Sequence, residues 1–339
     1  MKDCPMQRLP ILALALIAAS CSQRDLEKPR IGLVPPSADA ASAVIRRSIE
    51  AAAQDKAELA IADSLDRQSA QNALAEALFE KELKAIAIDP VDVSYVDPII
   101  AQAKAKRVPI VFFGLEPPRK TMRSWDKLFF VGTRREEIGA AQGEMLAAYW
   151  KANAAADRNK DGVLQFVALT AVEDEQESSR QAEAAAKALG AAGIPNLMLA
   201  EVGVEDGIAA ARKKTAALIA VFGDRIEAFV CRDDDMALGA ADALKAAGYA
   251  KGKRRVPIVG ASVVGVPGIP ATVAAAIASE VLLGTVFPDP AAQGKAVFDL
   301  AYALARGVAP WRTGWRITDA KYLWVPCRKI AKADLPPEN

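Results

Sequence analysis

Oxygen-bearing side chains recur along Asp157, Arg158, Asn159, Lys160, Asp161, Gly162, Val163, Leu164 and Gln165 at the first, third, fifth and ninth places, with Gly at the sixth. A calcium loop wraps a hard cation in that order, its odd side chains pointing inward and its seventh residue giving a backbone carbonyl. Asp157, Asn159, Asp161 and Gln165 are therefore candidate side-chain ligands, and Val163 the candidate carbonyl. Arg158 and Lys160 fall between them and are expected to face solvent. Gly162 permits the positive φ of the bend. At the twelfth place, where an EF-hand carries a bidentate Glu, stands Ala168, inside the apolar run 164–169. The loop is thus no EF-hand, and a further carboxylate must come from elsewhere in the fold. An Asx-rich surface turn with an Asp-Gly corner is the alternative for the same residues.

Such a loop needs a frame. Short β-branched apolar runs near 31–34, 59–63, 85–89 and 110–114 alternate with Ala-rich amphipathic stretches, and a second series follows near 164–169, 197–202, 228–232 and 258–262. This is the pattern of βαβ units, whose parallel sheets are covered on both faces. Between the series lie a strand near 128–133 and a long helix near 136–154, while runs at 282–289 and 323–327 are left over. Pro117, Pro118, Arg119 and Lys120 punctuate the chain after the fourth run, and Pro288, Asp289 and Pro290 break the late one, as suits crossings between domains. The predicted fold class is α/β, two doubly wound parallel-sheet lobes, with a ligand cleft at the carboxyl ends of the strands.

The start of the chain carries Lys2 and Arg8, then an almost wholly apolar stretch over 9–19 that ends in small residues before Cys21. That stretch is about half the ~20 residues of a membrane span, so it is expected to be an export signal. A Cys directly after it predicts lipidation of Cys21; an ordinary cleaved signal is the alternative. Roughly 320 residues then remain, enough for two domains. The 43 Lys and Arg balance the 42 Asp and Glu without a dense basic cluster, so no nucleic-acid partner is expected. There is no His, no nucleophile elbow, no Gly-rich phosphate loop and no cluster of soft metal ligands. A binding protein is favoured over an enzyme, with a carboxylate hydrolase as the weaker alternative. A repressor of similar fold would carry a helix-turn-helix where the export signal stands. Cys231 and Cys327 lie in apolar, strand-like surroundings, where a buried free thiol is the commoner state.

Residues 108–120 (VPIVFFGLEPPRK), 130–133, 157–167 and 284–300 resemble the bacterial periplasmic galactose/glucose-binding proteins, sugar-type ABC solute-binding proteins of the type I periplasmic binding protein (Venus-flytrap) fold. The resemblance implies a soluble monomer whose lobes close on a small sugar or sugar-like solute and present it to an ABC permease or a chemotaxis receptor. A lipoprotein sensor of the same fold, signalling to a membrane partner or having lost sugar binding, is the alternative. It implies three crossovers, near 131–133, 288–293 and 325–327. With the export reading this gives a signal at 1–20, lipidated Cys21, a tether at 22–30, a first lobe of 31–131 plus 290–325, and a second of 132–289 plus 326–339. It also implies a structural Ca2+ in the second lobe, completed by Glu227. By motif position the ligand residues would be Asp39, Arg180 and Asp233. Elsewhere the family's sugar-binding positions have changed: its Asn after the Phe-Phe strand is Gly114, its Asp at a strand end is Ser262, and its crossover Asn is Pro288. The expected cleft lacks tight glucose or galactose binding and is richer in carboxylates, suiting a polyol, an amino sugar or another cationic solute. Asp233 would also cap the helix it opens. Trp311, Trp315 and Trp324 are expected to pack between elements.

Overall fold

The computed structural model describes residues 28–35, 40–63, 67–172, 175–205, 207–250, 252–262 and 269–335. The predicted export signal, Cys21 and Asp39 lie outside these residues. The first lobe opens with β1 (Arg30–Val34), α1 (Ala40–Ala53), β2 (Glu58–Ile61), α2 (Gln68–Phe79), β3 (Ala85–Ile88), α3 (Asp97–Lys106), β4 (Ile110–Phe113), α4 (Arg119–Met122) and β5 (Leu128–Gly132). The second follows with α5 (Arg135–Ala152), β6 (Leu164–Ala171), α6 (Glu175–Ala191), β7 (Asn196–Val204), α7 (Ile208–Phe222), β8 (Ala228–Cys231), α8 (Asp234–Ala246), β9 (Ile258–Ala261), α9 (Ala271–Ala278) and β10 (Gly284–Phe287). Then come α10 (Pro290–Ala305), β11 (Ile317–Thr318), β12 (Tyr322–Trp324) and β13 (Arg328–Ala331).

Two sheets result, in the orders β11-β12-β5-β4-β3-β1-β2 and β13-β10-β9-β8-β6-β7. Their inner strands are parallel, with Ile31 opposite Ala85 and Phe166 opposite Ala228. Every residue of β3, β4 and β6 is buried, as expected of strands covered on both faces. Alternate side chains feed separate cores: Val111 and Phe113 pack toward α1 and α10, whereas Ile110 and Phe112 pack toward α2 and α3. In the second lobe, Phe229 packs toward α7 and α8, and Phe166 toward α5 and α6. The tightest helix pair depends on glycine: a Cβ on Gly139 of α5 would stand 1.9 Å from the Gln181 carbonyl oxygen of α6, and one on Gly143 would stand 2.3 Å from that of Ala185.

Each predicted inner run became a strand within a few residues of its expected ends. The leftover runs became β10 and β12. Two strands escaped prediction, the two-residue β11 and β13, which pairs antiparallel with β10. The β13 sequence, Arg-Lys-Ile-Ala, is half exposed at the sheet edge and carries no apolar run. The predicted parallel sheets are accordingly mixed, since β11 also pairs antiparallel with β12.

The chain passes between the sheets three times, from β5 to α5, from β10 to α10 and from β12 to β13. One side chain laces all three passages: Thr133 places its hydroxyl 3.1 Å from the Val325 carbonyl and 3.4 Å from that of Pro288. The Val325 N–H donates to the Gly132 carbonyl at 2.8 Å, and the Gln293 amide to that of Val131 at 3.3 Å. Asp289 takes a left-handed backbone, φ 48°, and caps α10 by accepting from the Ala292 N–H at 3.0 Å.

Candidate functional site

The carboxyl ends of both sheets face a cavity of about 620 Å³. The first lobe lines it with Ser42, Asp89, Gly114 and Leu115, the second with Arg135, Ile138 and Ser262, and the crossings with Thr133, Pro288 and Gln293. The three positions read as altered, Gly114, Ser262 and Pro288, thus meet in one cavity. Of the residues carried over as ligand contacts, the two that are described, Arg180 and Asp233, do not join them. Arg180 is exposed on α6, and neither it nor Asp233 lines this cavity. Asp233 holds the amino end of α8, accepting from the Met236 N–H at 2.9 Å and pairing with Arg232 at 3.1 Å. Asp39 lies outside the described residues.

Sequence reading missed Asp89 and Arg135. Asp89 directly follows β3, is only 6% exposed, and accepts from the Leu115 N–H at 3.3 Å. The Gln71 side chain fixes its backbone by donating to the Asp89 carbonyl at 2.7 Å. Arg135 begins α5 on the other wall. An acid after a fully apolar strand end was the available signal for Asp89; Arg135 carried none among its charged neighbours.

Behind Ser262 sits a second buried acid. Asp234 is 6% exposed, and neither of its carboxyl oxygens has a partner in hydrogen-bond geometry. Burial pushes its pKa up to about 7, Asp233 and Asp235 adding to the rise and the facing hydroxyls of Thr285 and Ser262 opposing it.

The 157–165 loop folds on itself. Asp161 Oδ1 accepts from the Val163 N–H at 2.8 Å, and Asp157 Oδ2 from the Gly162 N–H at 3.0 Å. Glu227, just before β8, reaches this loop: its two oxygens accept from the N–H groups of Arg158 at 2.8 Å and Gln165 at 3.0 Å. Burial raises the Glu227 pKa, the two backbone bonds oppose that, and the charges of Asp157 and Asp161 raise it further. The amides of Asn159 and Gln165 both donate to Asp161 Oδ2, at 2.8 and 2.7 Å, which leaves Gln165 Oε1 buried without a hydrogen-bond partner. Among the described residues, no three Asp, Glu, Cys or His side chains stand in a group tight enough to hold a metal ion. Gly162 and Lys160 adopt positive φ, 74° and 60°.

Two expectations for neighbouring residues fail. Arg158 does not face solvent: its half-buried guanidinium donates to the carbonyls of Asp224 at 2.7 Å and Ile226 at 2.6 Å and lies 5.1 Å from the Tyr249 ring centre. An Arg stem covers apolar surface while its planar head finds carbonyls, so alternation along the loop did not decide its fate. Trp311 is 74% exposed and packs in no core. Trp315 donates to Asp299 at 3.0 Å, and Trp324 stacks on Tyr322 with Arg134 over its ring at 4.7 Å. Cys231 and Cys327 are both free thiols.

Two doubly wound lobes, three passages laced together and a cavity at the strand ends with polar groups from both lobes define a two-lobed solute receptor. The chain belongs to the periplasmic binding protein domain family, which it matches over residues 31–309. It is 34% identical, over 316 residues, to the D-galactose/methyl-galactoside binding periplasmic protein MglB of Haemophilus influenzae, covering 92% of each chain. Among solved structures it resembles an ABC transporter periplasmic solute binding protein of Actinobacillus succinogenes with bound D-allose, at a TM-score of 0.68 and 17% identity, covering 91% of this chain and 99% of that one. A Bacillus halodurans ABC transporter solute binding protein with bound myo-inositol matches at a TM-score of 0.64 and 18% identity, covering 91% and 96%. At such identities the two structures share the fold.

Proposed function

We propose that this protein is the solute-binding receptor of an ABC importer and closes its lobes on a small sugar or sugar-like solute. The observation that carries the reading is the cavity itself, whose polar groups come from both lobes and from the laced passages between them. Binding proteins of this shape close by rotating about such passages, and no chemical step follows. D-Galactose, named for the 34% identical relative, is disfavoured as a tight ligand. Gly114, Ser262 and Pro288 remove hydroxyl partners, and each buried polar group left unpaired costs about 1 to 3 kcal/mol. Screening sugars, polyols, amino sugars and sugar acids by thermal shift, followed by X-ray scattering with the best stabiliser, tests the reading. A raised melting temperature with a smaller radius of gyration is expected. A panel without a stabiliser, or an unchanged radius, overturns it.

The 157–165 loop, with Glu227, fits a structural calcium ion. Supporting this are the charges of Asp157 and Asp161, close enough to raise the Glu227 pKa, and a buried Gln165 amide oxygen without a hydrogen-bond partner. Asp157, Asn159, Asp161, Gln165 and Glu227 would give side-chain oxygens and Val163 its carbonyl, a set of hard ligands suited to Ca2+. Bound there, the ion would neutralise the crowded carboxylates. The family reading is also that of an exported monomer, and Cys21 would tether it to a membrane through acyl chains. Cys21→Ser expressed in the native host is expected to move the protein into the soluble fraction; unchanged membrane fractionation removes the anchor. A permease or a chemoreceptor would be its membrane partner.

A further inference from the structure

Residues 300–318 carry Arg306, Arg312 and Arg316 and no Asp or Glu. All three arginines are exposed. Trp311 stands among them, 74% exposed, and Val308 is 39% exposed. The turn that presents Trp311 is tied down on both sides. The Val308 N–H donates to the Ala303 carbonyl at 2.8 Å, the Thr313 hydroxyl to the Pro310 carbonyl at 2.8 Å, and the Trp315 indole to Asp299 at 3.0 Å. A large apolar ring is thus held out toward solvent by an ordered turn, and little conformational entropy is lost when it meets a partner. This segment follows α10, which begins at the cavity wall with Pro290 and ends at Ala305. A helix of that length spans about 24 Å, so the segment lies at the pole of the first lobe opposite the cavity. The described chain begins at the same pole. Lys28 pairs with Asp55 at 3.8 Å in the link between α1 and β2, and Lys56 of that link lies 5.9 Å from the ring centre of Phe298 on α10.

We propose that this pole is a membrane-contact surface, with Trp311, Arg312 and Arg316 seated on anionic phospholipid headgroups. Tryptophan favours the headgroup level of a bilayer, and arginine beside it is attracted to lipid phosphate. The start of the described chain tells which surface is in reach. The tether of residues 22–30 spans at most about 30 Å, so acyl chains on Cys21 would hold this pole beside the bilayer. Such a tether makes the contact intramolecular, and a patch too weak to hold free protein then stays docked. The contact goes beyond the proposed anchor, because folded residues make it. The cavity lies at the other ends of the strands, so docking at this pole leaves it open to solute.

The test mixes the full chain with vesicles of equal parts phosphatidylglycerol and phosphatidylcholine brominated along its acyl chains. Bromine quenches only a tryptophan that reaches the bilayer. Quenching is expected in these vesicles and not in brominated phosphatidylcholine alone. Trp311→Phe should lose it while its melting temperature holds, since the ring packs in no core. Arg312→Gln and Arg316→Gln should each lower the ratio of docked to undocked protein about fivefold at low salt. Sedimentation of the same samples separates this contact from the anchor. Protein that sediments with the vesicles while Trp311 stays unquenched overturns the membrane contact and leaves the anchor standing. Quenching and sedimentation that both vanish in high salt support the contact and remove the anchor. Equal quenching in Trp311→Phe places another tryptophan at the bilayer and overturns the proposal. Should that variant not fold, unchanged quenching in the doubly substituted Arg312→Gln, Arg316→Gln protein does the same. A chain that neither sediments nor is quenched removes both contact and anchor, as it would if this pole instead met an acidic protein.

Discussion

A carboxyl group behind the cavity sets how the second lobe responds to acid. Asp234 ionises at an ordinary 3.8 when exposed and at about 7 in the fold. Between those values the folded chain keeps a proton that the unfolded chain releases, so stability falls as pH rises through the window. The full cost, about 4 kcal/mol, is present above pH 7 and absent below the unfolded value. Asp234→Asn, which carries no titrating charge, should flatten that slope and raise the melting temperature at alkaline pH relative to wild type. Denaturant melts across the pH range check it, and an unchanged slope in the variant refutes the assignment. Residues differ in how far the sequence exposed them. Asp233 as a cap was legible because capping is local, its acceptor and the Met236 N–H lying three residues apart. Asp89 was not, because its position depends on what the neighbouring strand lacks: Gly114 has no side chain, and this matters only once β3 and β4 are side by side.

Loops and strands were legible to the extent that their patterns are periodic. The inner strands announce themselves as short apolar runs because both faces are buried, and the oxygen spacing of the 157–165 loop is visible within nine residues. β13 needed tertiary pairing to exist at all, since its half-exposed residues are held by β10. Glu227 came from the family resemblance, and the structure ties it to the loop through two backbone N–H groups. That tie fastens the loop to the starts of β6 and β8, two inner strands, so an ion there would stabilise both together. Adding a chelator should lower the melting temperature, and excess calcium should restore it. An ion at a hundredfold excess over its dissociation constant contributes about 2.7 kcal/mol. The same melt on Asp161→Asn should respond less to calcium. A chelator without effect, and no calcium by mass spectrometry, would sink the metal.

Across the whole molecule, the motion between lobes runs through three short passages, and one hydroxyl touches two of them from the third. Thr133→Val keeps the β-branched shape but leaves the carbonyls of Pro288 and Val325 without that donor. We expect the variant to fold with a loss of about 1 kcal/mol, the net worth of one hydrogen bond. Its radius of gyration without solute should be larger, because the hinge is less restrained. Scattering of both proteins decides this, and identical curves would mean that Thr133 does not set the resting angle. The two-lobed arrangement itself was readable from the alternation of runs and from the proline breaks. The lacing was not, because its partners are separated by 155 and 192 positions in the chain.

The order of the first sheet carries a consequence for how the protein is made. β5 has β4 on one side and β12 on the other, yet all of α5 to β11 lies between β5 and β12 in the chain. As the chain emerges, the strand Leu128–Gly132, with two adjacent phenylalanines, has an open edge while everything from α5 to β11 is being added. Unpaired apolar edges recruit other chains. The interval between β5 and β12 is therefore the period in which a nascent copy most needs shielding, and it closes only when Tyr322, Leu323 and Trp324 settle against Phe130, Val131 and Gly132.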